Sequence, residues 1–359
     1  MSTPIQEAAA PPPMRLVNGL RYPFAKPPPE GRLQEVAHGV FWAQLPLPFV
    51  LNHINVWLIE DGDGWTLVDT GLDSKPLRAL WETLLRGPLQ GRPVTRILVT
   101  HMHPDHVGLA GWLTRRFAAE FCMSRTDYLM CRVLAADTGR SAPPEAIRFY
   151  RAAGFTDSML QRYVERFGFF GKMIDRLPDA YTRMKQGDEL QIGGRVWRVE
   201  VGSGHAPEHV CLACPELDLF LAGDQILPRI SSNVSLFPTE PRANPLQDWL
   251  DSCARLRGIV SADALILPSH NDPFYGAPQR LTALIDNHEI ALERLLGVLD
   301  TPRRAIEPEI FGVLFKRRVT SDNFFMATGE SLAHLNCLVH RGLVAQDVDA
   351  RGVCYYQAV

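Results

Sequence analysis

The stretch Thr100-His101-Met102-His103-Pro104-Asp105-His106-Val107-Gly108 packs three imidazoles and a carboxylate into six consecutive positions, His101 to His106. It follows the apolar run VTRILV, so the cluster is predicted to sit on the loop leaving a buried strand. Imidazoles at i and i+2 can converge on one ion, while the carboxylate and imidazole at i+4 and i+5 turn toward a second ion beside it. With 11 histidines in 359 residues, chance would place such an H-x-H-x-D-H string in fewer than ~1 of 1000 chains of this composition. Metal binding is therefore the chemistry to expect of this loop.

Other donors follow in a recognisable order. IEDGDGWTLVDTG carries Asp69, VEVGSGHAPEH carries His205, LFLAGD carries Asp224 and ILPSH carries His270. With the histidine cluster, these motifs resemble the metallo-β-lactamase superfamily, in particular its glyoxalase II-like and endoribonuclease-like branches, over about residues 35–300. The resemblance implies one metal site of His101, His103 and His205 and a second of Asp105, His106 and His270, with Asp224 bridging them and Asp105 and Asp224 as catalytic carboxylates. It also implies that Asp69 orients a ligand imidazole from behind, against the alternative of a plain strand-end turn aspartate. Two divalent ions are expected, zinc first, with iron or manganese tolerated by the same donors. Ions roughly 3.5–4 Å apart lower the pKa of a shared water toward neutrality, so a metal-bound hydroxide is the expected nucleophile. Two positions depart from the family pattern: GHAPEH adds His209, either a pocket residue or a satisfied structural histidine, and PSHND puts Asn271 where glycine is usual. His38, His53, His288, His334 and His340 have no companion motif and are read as non-ligands.

The elements that must hold these donors read as an α+β fold, the αββα sandwich of the family, with a helical insertion and a small C-terminal winged-helix domain. Residues 1–32 are Pro-rich and read as an extended arm. The catalytic domain spans 33–300: strands in GVFWAQLPLPF, INVWLIED and GWTLVDTG, a helix in SKPLRALWETLLRGPL, then the strand ending at the histidines. Strand patterns resume from residue 187, and Cys211 and Cys214 read as strand residues there. An insertion at about 126–186 carries Phe149, Tyr150, Phe155, Tyr163, Phe167, Phe169, Phe170 and Tyr181 at helical spacing. Two readings stand for it: helices burying their own aromatic face, or a lid giving the substrate pocket an apolar wall. The tail, 301–359, reads helix, helix, strand, strand.

Composition narrows the partners. A net charge of −3 gives no footprint for nucleic acid, and the tail's basic residues are nearly balanced by acidic ones. Packing, or a homodimer contact through the tail, is the expected role there, and a small molecule the expected substrate. Neither a signal peptide nor a membrane span is read, and seven scattered cysteines fit reduced thiols, so the expected location is cytoplasmic. The expected reaction is hydrolysis of an ester or thioester of a small acyl compound. Phosphodiester cleavage of RNA, lactam hydrolysis and iron-dependent redox chemistry are the rivals this scaffold leaves open.

Overall fold

The computed structural model describes residues 14–359, so the first 13 residues of the Pro-rich arm lie outside it. Chain order begins with a hairpin, β1 (Arg15–Val17) and β2 (Leu20–Tyr22). Next come β3 (Gln34–Ala37), β4 (Val40–Pro46), β5 (His53–Asp61), β6 (Gly64–Val68), α1 (Lys75–Arg86) and β7 (Val94–Leu98). After the histidine loop run α2 (Pro104–Val107), α3 (Ala110–Phe117), β8 (Glu120–Met123), α4 (Arg125–Ala136), α5 (Pro144–Ala152), α6 (Asp157–Arg166) and β9 (Thr182–Arg183). The second half holds β10 (Glu189–Ile192), β11 (Arg195–Gly202), β12 (His209–Cys214), β13 (Leu219–Gly223), α7 (Pro245–Ile259), β14 (Leu265–Pro268) and α8 (Ala277–Leu296). The tail is α9 (Pro308–Leu314), α10 (Phe324–His340), β15 (Val344–Val348) and β16 (Cys354–Ala358), the predicted order of two helices and two strands.

β3 to β9 form one sheet in sequence order, antiparallel as far as β6 and parallel beyond it. β10 to β14 form the other, with β13 and β14 its parallel pair. Side-chain alternation makes the layers. On β5, Ile54, Val56 and Leu58 pack toward α1 and α3, while Trp57 and Ile59 meet Trp197, Leu212 and Leu221 of the other sheet. On β13, Leu219 and Leu221 face that shared interior and Phe220 and Ala222 face α7 and α8. Each sheet is thus covered on both faces, which is why these strands read as nearly unbroken apolar runs. Helices, two sheets and helices stack as the predicted αββα sandwich.

One buried polar residue joins the two sheets. Asn55, fully buried on β5, donates its amide to the carbonyls of Pro268 (2.9 Å), at the end of β14, and Asn271 (2.6 Å), just beyond it, and its oxygen accepts from the Trp42 indole (2.8 Å). Asn55→Leu keeps the volume but strands these partners, at a cost of ~2–4 kcal/mol. Urea unfolding should show that loss, and a change below ~0.5 kcal/mol would rule out this cross-link as a main tie between the sheets.

The predicted extended arm needs correction over its described half. Residues 15–22 fold back as the β1–β2 hairpin, Leu20 and Tyr22 enter the core, and Arg21 bridges to Tyr275. Proline spacing had masked two residues with enough apolar area to dock. The insertion's aromatics pack on one another, as the first reading has it, and also against the tail, which neither reading named. Tyr150 meets Phe155 and Tyr163 at 4.9 and 4.5 Å between ring centroids, and Phe324 and Phe325 of α10 lie 5.3 and 5.7 Å from Phe155. Phe169 stays half exposed, while Tyr181 stacks on Tyr128 at 3.9 Å. Among the described residues no helix is long and apolar enough to cross a membrane.

Candidate metal centre

Parallel pairing brings the donors to one edge. β6 and β7 run parallel, so Asp69 and the histidine loop leave their C-terminal ends side by side; β13 and β14 do the same for Asp224 and His270. β11, two antiparallel steps from β13, points the same way and delivers His205. Cross-bonds hold the two sheets' loops together at this edge: Val210 N–H donates to Thr100 O (2.7 Å) and Asn55 N–H to Ser269 O (2.7 Å).

The seven predicted donors all meet. His101 Nε2 and His103 Nδ1 are 2.8 Å apart, His103 Nδ1 and His205 Nε2 3.0 Å, and His205 Nε2 and His101 Nε2 3.3 Å. Beside this triad, Asp105 Oδ2 lies 3.7 Å from His106 Nε2 and 3.4 Å from His270 Nε2. Asp224 stands between the groups: Oδ2 is 3.4 Å from His205 Nε2, while Oδ1 is 3.6 Å from His106 Nε2 and 3.5 Å from His270 Nε2. His101, His106 and His270 are buried, and His205 and Asp224 nearly so.

Partners on the far side of each ring decide where its lone pair points. A carbonyl only accepts, so His205 Nδ1 donates to Asn233 O (2.7 Å) and His270 Nδ1 to His53 O (2.7 Å). His106 Nδ1 donates to Asp69 Oδ2 (2.8 Å). Each of the three therefore aims an Nε2 lone pair inward, and His106 Nε2 and Asp224 Oδ1 are buried without any hydrogen-bond partner. Converging lone pairs and orphaned carboxylate oxygens are what a cation site looks like from the protein's side. The residues fit divalent metal.

Electrostatics agree with that fit. Burial, reinforced by neighbouring imidazoles, holds His101 well below the usual histidine range and His103 down to about 3, so both rings are neutral donors. Burial also opposes charge on His106 and His270, but neighbouring carboxylates outweigh it (Asp105, Asp69 and Asp224 for His106, Asp224 and Asp105 for His270) and raise both rings; the positive charge these carboxylates favour is one that a cation would supply, displacing the proton from Nε2. Asp105 stays ionised, at about 2, because His106 and His270 overcome its burial; Asp224 is likewise held well below the carboxylate range.

The supporting residues sort as follows. Asp69, at φ 63° on the end of β6, accepts from Thr100 N–H (2.8 Å) as well as from His106. His209 is buried, accepts the Asp224 N–H through Nε2 (3.0 Å) and stacks on His101 at 4.6 Å. Gly223 is glycine because a Cβ there would collide with the His209 ring. Asn271 takes φ 68°, a left-handed turn that asparagine tolerates in place of glycine. His53 is not among the converging donors; its Nε2 accepts from Asn271 N–H (3.0 Å). Sequence reasoning missed Asp127 on α4. Its two oxygens accept Met102 N–H and Glu208 N–H, both at 2.8 Å, and so tie the histidine loop to the loop of His205.

The comparisons agree with this geometry. Residues 50–270 match the metallo-beta-lactamase superfamily. The chain belongs to that superfamily. Residues 292–359 match the metallo-beta-lactamase-like C-terminal domain, so the tail is one that members of the superfamily carry. A beta-lactamase domain protein from Burkholderia ambifaria is 36% identical in its crystal structure, with 95% of this chain and 98% of that chain covered at a TM-score of 0.86. The probable metallo-hydrolase YqjP of Bacillus subtilis is 24% identical, covering 82% of this chain and 90% of its own. The human acyl-coenzyme A thioesterase MBLAC2 is 24% identical over 71% of this chain and 85% of its own. Superfamily and donor set together make this chain a metallo-hydrolase.

Proposed function

We propose that the chain is a dinuclear hydrolase that cleaves an ester or thioester of a small acyl compound. The observation carrying the dinuclear part is Asp224, whose two oxygens face different donor groups, Oδ2 toward His205 and Oδ1 toward His106 and His270. His101, His103 and His205 would hold one ion, Asp105, His106 and His270 the other, with Asp224 shared. When bound, such a pair supplies Lewis acidity toward water and toward the scissile carbonyl. The chain's own work is to keep the donors in register. Asp69 fixes the His106 tautomer, the Asn233 and His53 carbonyls fix His205 and His270, and His209 pins the backbone of Asp224. Asp105 and Asp224, held ionised, are the carboxylates able to take a proton from the attacking water.

The acyl preference is supported by the likeness to an acyl-coenzyme A thioesterase and by exposed apolar residues on a loop that leads to the support of one donor. Phe49 and Val50, 51% and 91% exposed, lie on the β4–β5 loop that ends at His53, whose carbonyl holds His270. Covering ~40–60 Å² of hydrocarbon at ~25 cal/mol per Å² contributes ~1–1.5 kcal/mol. Phe49→Ala should thus raise KM ~5–10-fold for long acyl chains and little for short ones, read from steady-state kinetics across chain lengths. A zinc-loaded panel of acyl-CoA, acyl-glutathione, RNA and lactam substrates tests the reading itself. Turnover is expected on thioesters, and cleavage confined to RNA or lactams would replace it.

A further inference from the structure

Three consecutive residues of the loop between β13 and α7 join the metal centre to the tail. Ser231 Oγ lies 3.0 Å from His288 Nε2 on α8, and His288 Nδ1 lies 3.3 Å from His334 Nε2 on α10. His334 Nδ1 must donate to the Glu330 carbonyl (2.8 Å), so its Nε2 accepts from His288 Nδ1, and the Ser231 hydroxyl donates to His288 Nε2. Ser232 Oγ donates to the Asp224 carbonyl. Asn233 faces both ways: its carbonyl accepts from His205 Nδ1 (2.7 Å), and its amide donates to Glu330 Oε2 (2.8 Å). Close packing completes the attachment. Leu236 N–H donates to Gly329 O (3.0 Å), and a Cβ on Gly329 would come within 2.7 Å of Ser235 Oγ.

A carbonyl orients a histidine only as well as its own peptide is held. This loop has no ladder to hold it, so side-chain bonds do so, and those of Asn233 act at the very residue whose carbonyl orients His205. The Glu330 carboxyl, desolvated enough to be pushed up to about 7, has Asn233 as its side-chain partner. Desolvating a carboxyl at this half-buried position of α10 is costly, and a neutral residue would serve packing better.

We propose that α10 is part of the frame of the metal centre, with Glu330 a positioning residue that fixes the His205 ring through Asn233. This rests on the reading that His205 holds one of two ions. The consequence is that the tail controls affinity at the ion site of His101, His103 and His205 without touching substrate.

The test uses the full-length protein and zinc(II), with both equivalents titrated against a chromophoric chelator, and cobalt(II) spectra as a reporter of ligand geometry. Glu330→Ala is expected to weaken one equivalent ~10–100-fold and shift the cobalt d–d bands. Glu330→Gln, whose amide oxygen still accepts from Asn233, should stay within ~3-fold of wild type. Leu338→Ala, a core truncation two turns along α10 from Glu330, should lower the Tm of metal-free protein and leave both affinities alone. Asn233→Ala, which keeps the carbonyl and removes the amide, should reproduce Glu330→Ala and stands in for it if that variant does not fold. Wild-type zinc affinities in both Glu330→Ala and Asn233→Ala, or equal losses in Glu330→Gln and Glu330→Ala, would overturn the relay. A wild-type protein that binds fewer than two equivalents would instead overturn the dinuclear reading beneath it.

Discussion

Asp224→Ala is expected to lower hydrolysis by at least ~10³-fold and to strip one or both metal equivalents while the fold survives. The Asp224 carboxylate faces both donor groups, so its removal takes an anionic donor from each ion at once. An uncompensated loss of one partner in a buried charge pair costs ~3–5 kcal/mol, equivalent to ~150–4000-fold in affinity. Fold survival follows from the backbone: the bonds from Asp224 N–H to His209 and from Ser232 to Asp224 O do not involve the carboxylate. Metal content after dialysis, kcat and circular dichroism read the three parts. Unchanged metal content and turnover would sink the shared-carboxylate arrangement.

Removing the metals by chelation is expected to abolish activity and lower Tm, and zinc should restore both. Inward-facing lone pairs on His106, His205 and His270, together with two ionised aspartates, form a cluster whose members have each other's unpaired faces as neighbours. A ligand that binds only the folded chain stabilises it by ~2.7 kcal/mol at 100 times its dissociation constant. Differential scanning calorimetry of stripped and reloaded protein measures this directly. Identical melting curves, with full activity in the stripped form, would remove metal from the reaction altogether.

The sequence by itself determined the chemistry of the histidine loop, because His101, His103, Asp105 and His106 sit within one turn and need no distant partner to be recognised. The layer order was legible through the family resemblance that those motifs carry, and the pattern of the segments agreed with it. Helical and strand periods mark which face of each segment is buried, and covering both faces of a sheet leaves a nearly continuous apolar run that can be read locally. Asp69, His205, Asp224 and His270 were legible only as motifs in the right order, since no local spacing says that five strand ends share one edge. What the tertiary structure alone decided is which surface each buried face meets. The aromatic spacing of the insertion marks a buried stripe, yet its partner is Phe324 and Phe325, more than 150 residues further on. Docking of Leu20 and Tyr22 was hidden for the same reason. The supports of the metal centre were hidden more deeply. Asn55, Asp127, Asn233 and Glu330 act through backbone carbonyls and amides or through one another, and a backbone group has no side-chain identity to leave a mark in the sequence. Only when the chain closes do those peptides arrive beside the polar side chains that hold them.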